Sequence, residues 1–107
     1  MIYEYRRYDV MPGRLTDLTN RFERHTLRIW RRCGIEVVGF WTADVGESNV
    51  LHYLLSWKNI EHRERLWDRF VADEEWIRVK EASEAAGQLV RRVHNELWAP
   101  TSFSPLH

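Results

Sequence analysis

His25 and Arg63 are the residues whose types and positions most invite chemistry. Leu15, Leu18, Phe22, His25, Ile29 and Cys33 recur at helical spacing. That period defines one face of an amphipathic helix, so the His25 imidazole is expected to project inward, toward a sheet. A buried imidazole needs hydrogen-bond partners. It is either a satisfied core histidine or a general acid/base at the wall of a cleft. Arg63 interrupts a second stripe, between Ile60 and Trp67. An inward guanidinium calls for a carboxylate. Glu4 on the first strand and Glu96 on the last are the available partners. Arg63 is then half of a structural ion pair, or a side chain snorkelling past the sheet edge, or an anchor for a carboxylate- or enolate-bearing substrate. If both stripes face one sheet, His25 and Arg63 should converge on a shared space.

Further groups join these two. Glu4, Arg6 and Tyr8 alternate on one face of the first strand. Polar side chains on a central strand are costly unless paired or lining a cavity, and His52 of the third strand is expected beside them. Trp41, Trp57, Trp67 and Trp76 supply either the walls of an aromatic pocket or ordinary packing. His25 and Arg63 are therefore the catalytic candidates. Glu4, Arg6, Trp41, His52 and Trp67 are the candidates for substrate binding. No metal is expected: His25, His52, His62 and His94 are scattered, with no H-x-x-x-H pair. A Gly-rich phosphate loop and a Ser-His-Asp arrangement are also missing, and no cofactor is expected.

The elements that must position these groups follow from periodicity. Residues 2–10 read as a strand ending at Met11-Pro12-Gly13. Residues 14–32 read as a helix that Gly34 terminates, with Asp17, Arg21, Arg24, Arg28 and Arg31 on its solvent side. Residues 35–43 and 49–58 are two strands joined through Gly46-Glu47-Ser48-Asn49. Asn59 caps a helix carrying Ile60, Arg63, Trp67 and Phe70, and Asp73, Glu74 and Glu75 open another that ends at Gly87. Residues 89–98 form the last strand, followed by a tail, 101–107, in which Phe103, Pro105 and Leu106 are expected to dock.

The order βαββαβ predicts an α+β, ferredoxin-like domain: a four-stranded antiparallel sheet with its helices on one face. The middle strands are apolar on both sides. Val37 and Trp41 alternate with Val38 and Phe40, and Leu51, Tyr53, Leu55 and Trp57 alternate with Val50, His52 and Leu54. A sheet open to water on one side should alternate apolar with polar. The uncovered face is therefore expected to meet another copy of the chain, giving a dimeric α/β barrel.

Composition sets the remaining bounds. The 107 residues suit one domain, 1–107, and the formal net charge is zero, which favours neither nucleic acid nor an anionic membrane as partner. Six Trp, four Tyr and four Phe exceed what one small core hides, so part of this ring surface should line a pocket or an interface. Cys33 is the only cysteine, and the N-terminal residues lack an apolar targeting stretch; a cytoplasmic location is expected.

The chain also resembles a known family. Met1-Ile2-Tyr3-Glu4-Tyr5-Arg6, Arg21-Phe22-Glu23-Arg24-His25-Thr26-Leu27 and Val38-Gly39-Phe40-Trp41-Thr42 are similar to segments of NIPSNAP proteins. So are Arg63-Glu64-Arg65, Ala72-Asp73-Glu74-Glu75-Trp76 and the terminal Pro100-Thr101-Ser102-Phe103-Ser104-Pro105-Leu106. The resemblance runs from end to end and implies the dimeric α/β-barrel fold, as a homodimer or a higher oligomer. It implies no single reaction, because relatives on this barrel include cofactor-independent monooxygenases, haem-degrading enzymes, dehydratases and proteins without known chemistry. Two functions stay open. One is a small-molecule binding protein or enzyme, an oxygenase or isomerase working without a cofactor in a cleft between helices and sheet. The other is a non-catalytic assembly module that uses its aromatic surface.

Overall fold

A computed structural model describes all residues, 1–107. The strands are β1 (Ile2–Val10), β2 (Glu36–Trp41), β3 (Val50–Trp57) and β4 (Val90–Trp98). They form one antiparallel sheet in the order β2-β3-β1-β4, the ferredoxin-like arrangement. The first crossover is helical throughout but not uniformly α. It runs as α1 (Leu15–Arg21), a π-helical segment (Phe22–Thr26) and α2 (Leu27–Cys33). The second crossover is α3 (Ile60–Val71) followed by α4 (Glu74–Ser83).

Local chemistry explains where the helices begin and end. Asn59 and Asp73 each accept a hydrogen bond at the N-terminus they cap, from the backbone N–H of His62 and Trp76. α2 stops at Gly34, which takes φ 91°, a left-handed conformation that costs glycine nothing. The Ile35 N–H then reaches back to the Trp30 carbonyl and turns the chain into β2.

The core lies between the sheet and the helices. Leu51, Tyr53, Leu55 and Trp57 of β3 meet Leu18, Phe22, Ile29, Trp30 and Cys33 of the first crossover and Leu66 and Phe70 of α3. Rings interlock at its centre, with Phe22 edge-on to Trp30, Phe40 and Tyr53.

Two local irregularities change which side chains face this core. The first is the π segment. There the Leu27 N–H bonds the Phe22 carbonyl, five residues back, and the Thr26 hydroxyl bonds the Arg21 carbonyl. The widened turn rotates the stripe by part of a turn. Thr26 is buried against the core and His25 is only half-buried. Arg21, expected in solvent, is 8% exposed. The second is a bulge in β2 between Val37 and Gly39, which leaves Val38 unpaired. Val37 and Phe40 thus share the helix side, opposite Leu55 and Tyr53, while Gly39 and Trp41 take the far side, opposite Leu54 and His52. Simple alternation had placed Trp41 with Val37.

The far face carries no helix. Tyr5 stacks there on His52 and on Trp98, and its hydroxyl meets His52 Nδ1 at 2.8 Å. Trp41 lies back over Gly39, where a Cβ would come within 2.8 Å of the indole. Phe103 of the tail is 86% exposed and does not dock on its own chain, whereas Leu106 reaches a shallow hollow beside Tyr3 and Leu54. No helix is long and apolar enough to cross a membrane.

Candidate functional site

The polar groups of β1 are organised around Glu4, whose side chain is fully buried. Arg63 Nε and Nη2 donate to its two oxygens at 2.8 and 3.1 Å. Trp57 Nε1 donates at 3.0 Å, Asn95 at 2.9 Å and Arg6 Nη1 at 3.0 Å. Burial alone would raise the pKa of this carboxyl. Donation from Arg63, Asn95 and Arg6 more than offsets it and holds the group down at about 2. Glu4 is therefore a permanent anion, and Arg63 is committed to it. Glu96, the other partner considered for Arg63, bonds His94 and Trp98 at the opposite face.

Arg6 extends the network along the sheet. Its guanidinium lies 4.7 Å from the Trp67 ring centroid, and its Nε donates to the Tyr53 hydroxyl at 2.7 Å. Tyr53 donates in turn to Tyr8 at 2.9 Å. Burial, and then the neighbouring Tyr8, push the Tyr53 phenol well above its ordinary pKa, so it stays protonated and can only relay. Burial would lower the Arg6 pKa, but the phenols of Tyr53 and Tyr8 and the Glu4 carboxylate raise it above the usual range.

This chain of donors ends at a cleft. Tyr8 opens into a space of about 340 Å³ between α3, α4 and the β1–β4 side of the sheet. Trp67, Phe70 and Trp76 supply aromatic walls, and Arg21, Lys80 and Glu84 supply charge. Arg21 is the unusual member. Its Nη1 donates to Ser83 Oγ at 3.2 Å, and Glu84 lies 3.6 Å away. Its guanidinium carbon stands 5.0 Å from the Trp76 ring, and its buried Nε has no partner. Desolvation outweighs the pull of Glu84, and the Arg21 pKa is lowered. A cation held this way is short of negative charge.

The structure gathers some of the expected residues and separates others. Glu4, Arg6, Arg63 and Trp67 form one continuous network beneath the cleft. His25 does not share a space with Arg63. It lines a groove between α1 and α4, because the π segment turned it away from the sheet. His52 and Trp41 lie on the far face, and Trp57 is wholly within the core. Trp76, named among the possible pocket walls, does line the cleft, while Tyr8, Arg21, Tyr53 and Asn95 are additions to the network and cleft. Tyr8 was visible as a neighbour of Glu4 and Arg6 on β1, but Arg21 was hidden by the π segment. No three His, Cys, Asp or Glu side chains gather closely enough to hold a metal ion.

Sheet order, crossover pattern and the one-sided layer of helices define a ferredoxin-like α+β domain. The NIPSNAP family model matches residues 3–105, and the chain belongs to that family. Protein NipSnap homolog 1 of Danio rerio is 26% identical over 105 residues, covering 98% of this chain and 36% of the zebrafish protein. The chain thus spans about a third of that relative's length. An uncharacterized NIPSNAP-like domain protein from Burkholderia xenovorans superposes with a TM-score of 0.86 at 29% identity, covering 97% of this chain and 88% of that one. A NIPSNAP family protein of unknown function from Agrobacterium tumefaciens gives 0.88 at 23% identity, covering 100% and 94%. The fold extends to SnoaB, a cofactor-independent oxygenase from Streptomyces nogalater, with a TM-score of 0.62, 16% identity and coverage of 97% and 96%.

Proposed function

We propose that this NIPSNAP domain binds a small planar anion, an aromatic or enolic carbonyl compound, in the cleft beneath α4. There it promotes oxygenation or isomerisation without a cofactor. The observation that carries this reading is the meeting of two groups in one aromatic cleft. Tyr8 ends a hydrogen-bond relay from Arg6, and Arg21 is buried with its Nε unpaired. Preorganised donors of this kind stabilise negative charge developing on oxygen. A substrate losing a proton to form an enolate or phenolate would place that oxygen between Tyr8 and Arg21. Its ring would pack on Trp67 and Trp76, and Glu84 is the carboxylate in the wall able to receive the proton. SnoaB, on the same fold, is a cofactor-independent oxygenase, which makes such chemistry a natural one to seek. Arg63 and Glu4 position Arg6 rather than touch the substrate.

A second reading has its own support. Trp41 and Trp98 stand 54% and 45% exposed on the sheet face that no helix covers. An assembly module would use that surface, and a homodimer through it is compatible with either function. The buried thiol of Cys33 suits a reducing, cytoplasmic setting.

The test is a panel of enolisable dicarbonyls and hydroxylated aromatics, assayed for binding, isomerisation and oxygen uptake. Tyr8→Phe and Arg21→Gln should each lower turnover by roughly a hundredfold, the usual cost of one oxyanion-stabilising donor. No binding across the panel, or activity indifferent to both changes, would defeat the enzymatic reading and leave the assembly module.

A further inference from the structure

The groove that His25 lines adjoins the cleft, and Arg21 stands between them. The groove runs between α1 and α4, encloses about 550 Å³ and is predominantly basic. Arg21, Arg24 and Arg78 reach it from three different stretches of helix, together with His25, Asn20 and Ser83. Its one carboxylate, Asp17, is already taken by Arg14 at 2.7 Å. Arg24 and Arg78 have no carboxylate within ion-pair distance, and the nearest to Arg21 is Glu84 at 3.6 Å. Two buried nitrogens stand without a partner here, Arg21 Nε and His25 Nδ1. Buried polar atoms are rarely left unpaired, and each such atom asks for an explanation.

We infer that this groove binds the phosphate group of a phosphorylated small molecule. A chain of zero net charge has no general reason to collect uncompensated guanidinium groups at one place. Arginine forks match phosphate oxygens in pairs. A carboxylate offers two oxygens and one charge. A phosphate monoester offers three oxygens and close to two charges, which suits cations approaching from α1, the π segment and α4. The π segment is what creates the site, since it brings His25 and Arg21 to the groove instead of leaving one in the core and the other in solvent. The assignment goes beyond the cleft reading: the two sites share Arg21, and the groove's own groups are Arg24, Arg78 and His25. Tyr8 and Trp67 line only the cleft.

The experiment uses the whole chain and two probes, inorganic phosphate and pyrophosphate, with citrate as a carboxylate control at matched ionic strength. Binding is read from NMR shifts of the arginine Nε–H signals and from calorimetry. Pyrophosphate should shift the Arg21, Arg24 and Arg78 signals with a Kd below about 1 mM. The double change Arg24→Gln, Arg78→Gln involves exposed side chains and should weaken binding at least tenfold with the melt unchanged. Tyr8→Phe should leave pyrophosphate affinity as it is. Three results would overturn the inference: saturation unaffected by the double change, citrate binding as tightly as pyrophosphate, or no arginine shifts up to about 10 mM probe.

Discussion

Arg63 on α3 grips Glu4 on β1 through both ends of its fork, Nε to Oε1 at 2.8 Å and Nη2 to Oε2 at 3.1 Å. The two residues are 59 positions apart, so this contact fixes the second crossover to the first strand. Glu4 also orients Arg6, and through it the hydroxyls of Tyr53 and Tyr8. A structural ion pair thereby sets the geometry of the cleft without entering it.

Glu4 has three donors besides Arg63, so the two sides of the pair are not equivalent. Arg63→Ala should destabilise the fold by about 1–3 kcal/mol, because the buried carboxylate loses its two-pronged partner and keeps only Arg6, Asn95 and Trp57. Glu4→Gln should cost more than Arg63→Ala, since its amide oxygen can replace Oε1 but its NH2 group would face the Arg63, Arg6 and Asn95 donors that Oε2 accepted from. Urea unfolding of the parent and both variants decides the order. Equal stability of Arg63→Ala and the parent would mean that Arg63 does not hold Glu4 as described.

Acid should act through the same group. The Glu4 pKa is lowered from 4.5 to about 2 in the folded chain. A depressed carboxyl contributes stability that is complete above its unfolded value and disappears as pH falls through its folded one. Stability should therefore decline between pH 4.5 and about 2, by on the order of 3 kcal/mol from this group. The same titration on Glu4→Gln should be correspondingly flatter across that window. Matching slopes for the two proteins would assign the acid sensitivity elsewhere.

Arg21 offers a trade between stability and binding. Its guanidinium is desolvated and short of counter-charge. Arg21→Met keeps the packing against Trp76 and removes the buried cation. It should leave stability unchanged or raise it by about 1–2 kcal/mol while abolishing ligand binding. A thermal melt beside the ligand panel reads both. A marked loss of stability would show that Arg21 is a fixture of the core.

The uncovered sheet face predicts association. Tyr5 stacks on His52 and Trp98, Trp41 stands opposite His52 on β2 with half its surface exposed, and Phe103 projects from the tail. Sedimentation at micromolar concentration should find dimers or larger species and no stable monomer. Trp41→Glu should shift the population toward monomer, and deletion of residues 101–107 should weaken the association. A folded monomer in the parent at these concentrations would remove the expected dimer.

Much of this was legible in the sequence, and the exceptions have local causes. The βαββαβ order, the cap at Asn59, the acidic opening at Asp73 and the stop at Gly34 follow from local pattern, and the demand of a buried charge for its opposite narrowed the partner of Arg63 to Glu4 or Glu96, of which the fold selects Glu4. His25, Arg21 and Trp41 did not follow. Each lies at or beside a one-residue irregularity, the π segment or the β2 bulge. A period of 3.6 or 2 cannot anticipate an inserted residue, and one insertion moves a side chain to another face. His52 failed differently: its face depends on strand register, which the long-range pairing of β3 with β1 and β2 determines.

The central claim is that Tyr8 and Arg21 together hold an anionic oxygen in the cleft beneath α4. A titration of the parent, Tyr8→Phe and Arg21→Met with a hydroxylated aromatic carboxylate, followed through the indole N–H signals of Trp67 and Trp76 by NMR, tests it most directly. The account predicts that both signals move together in the parent, with affinity falling at least tenfold in each variant. Trp41 and Trp98, on the far face, should stay where they are. Movement of Trp41 and Trp98 instead, with Trp67 and Trp76 undisturbed, would contradict it.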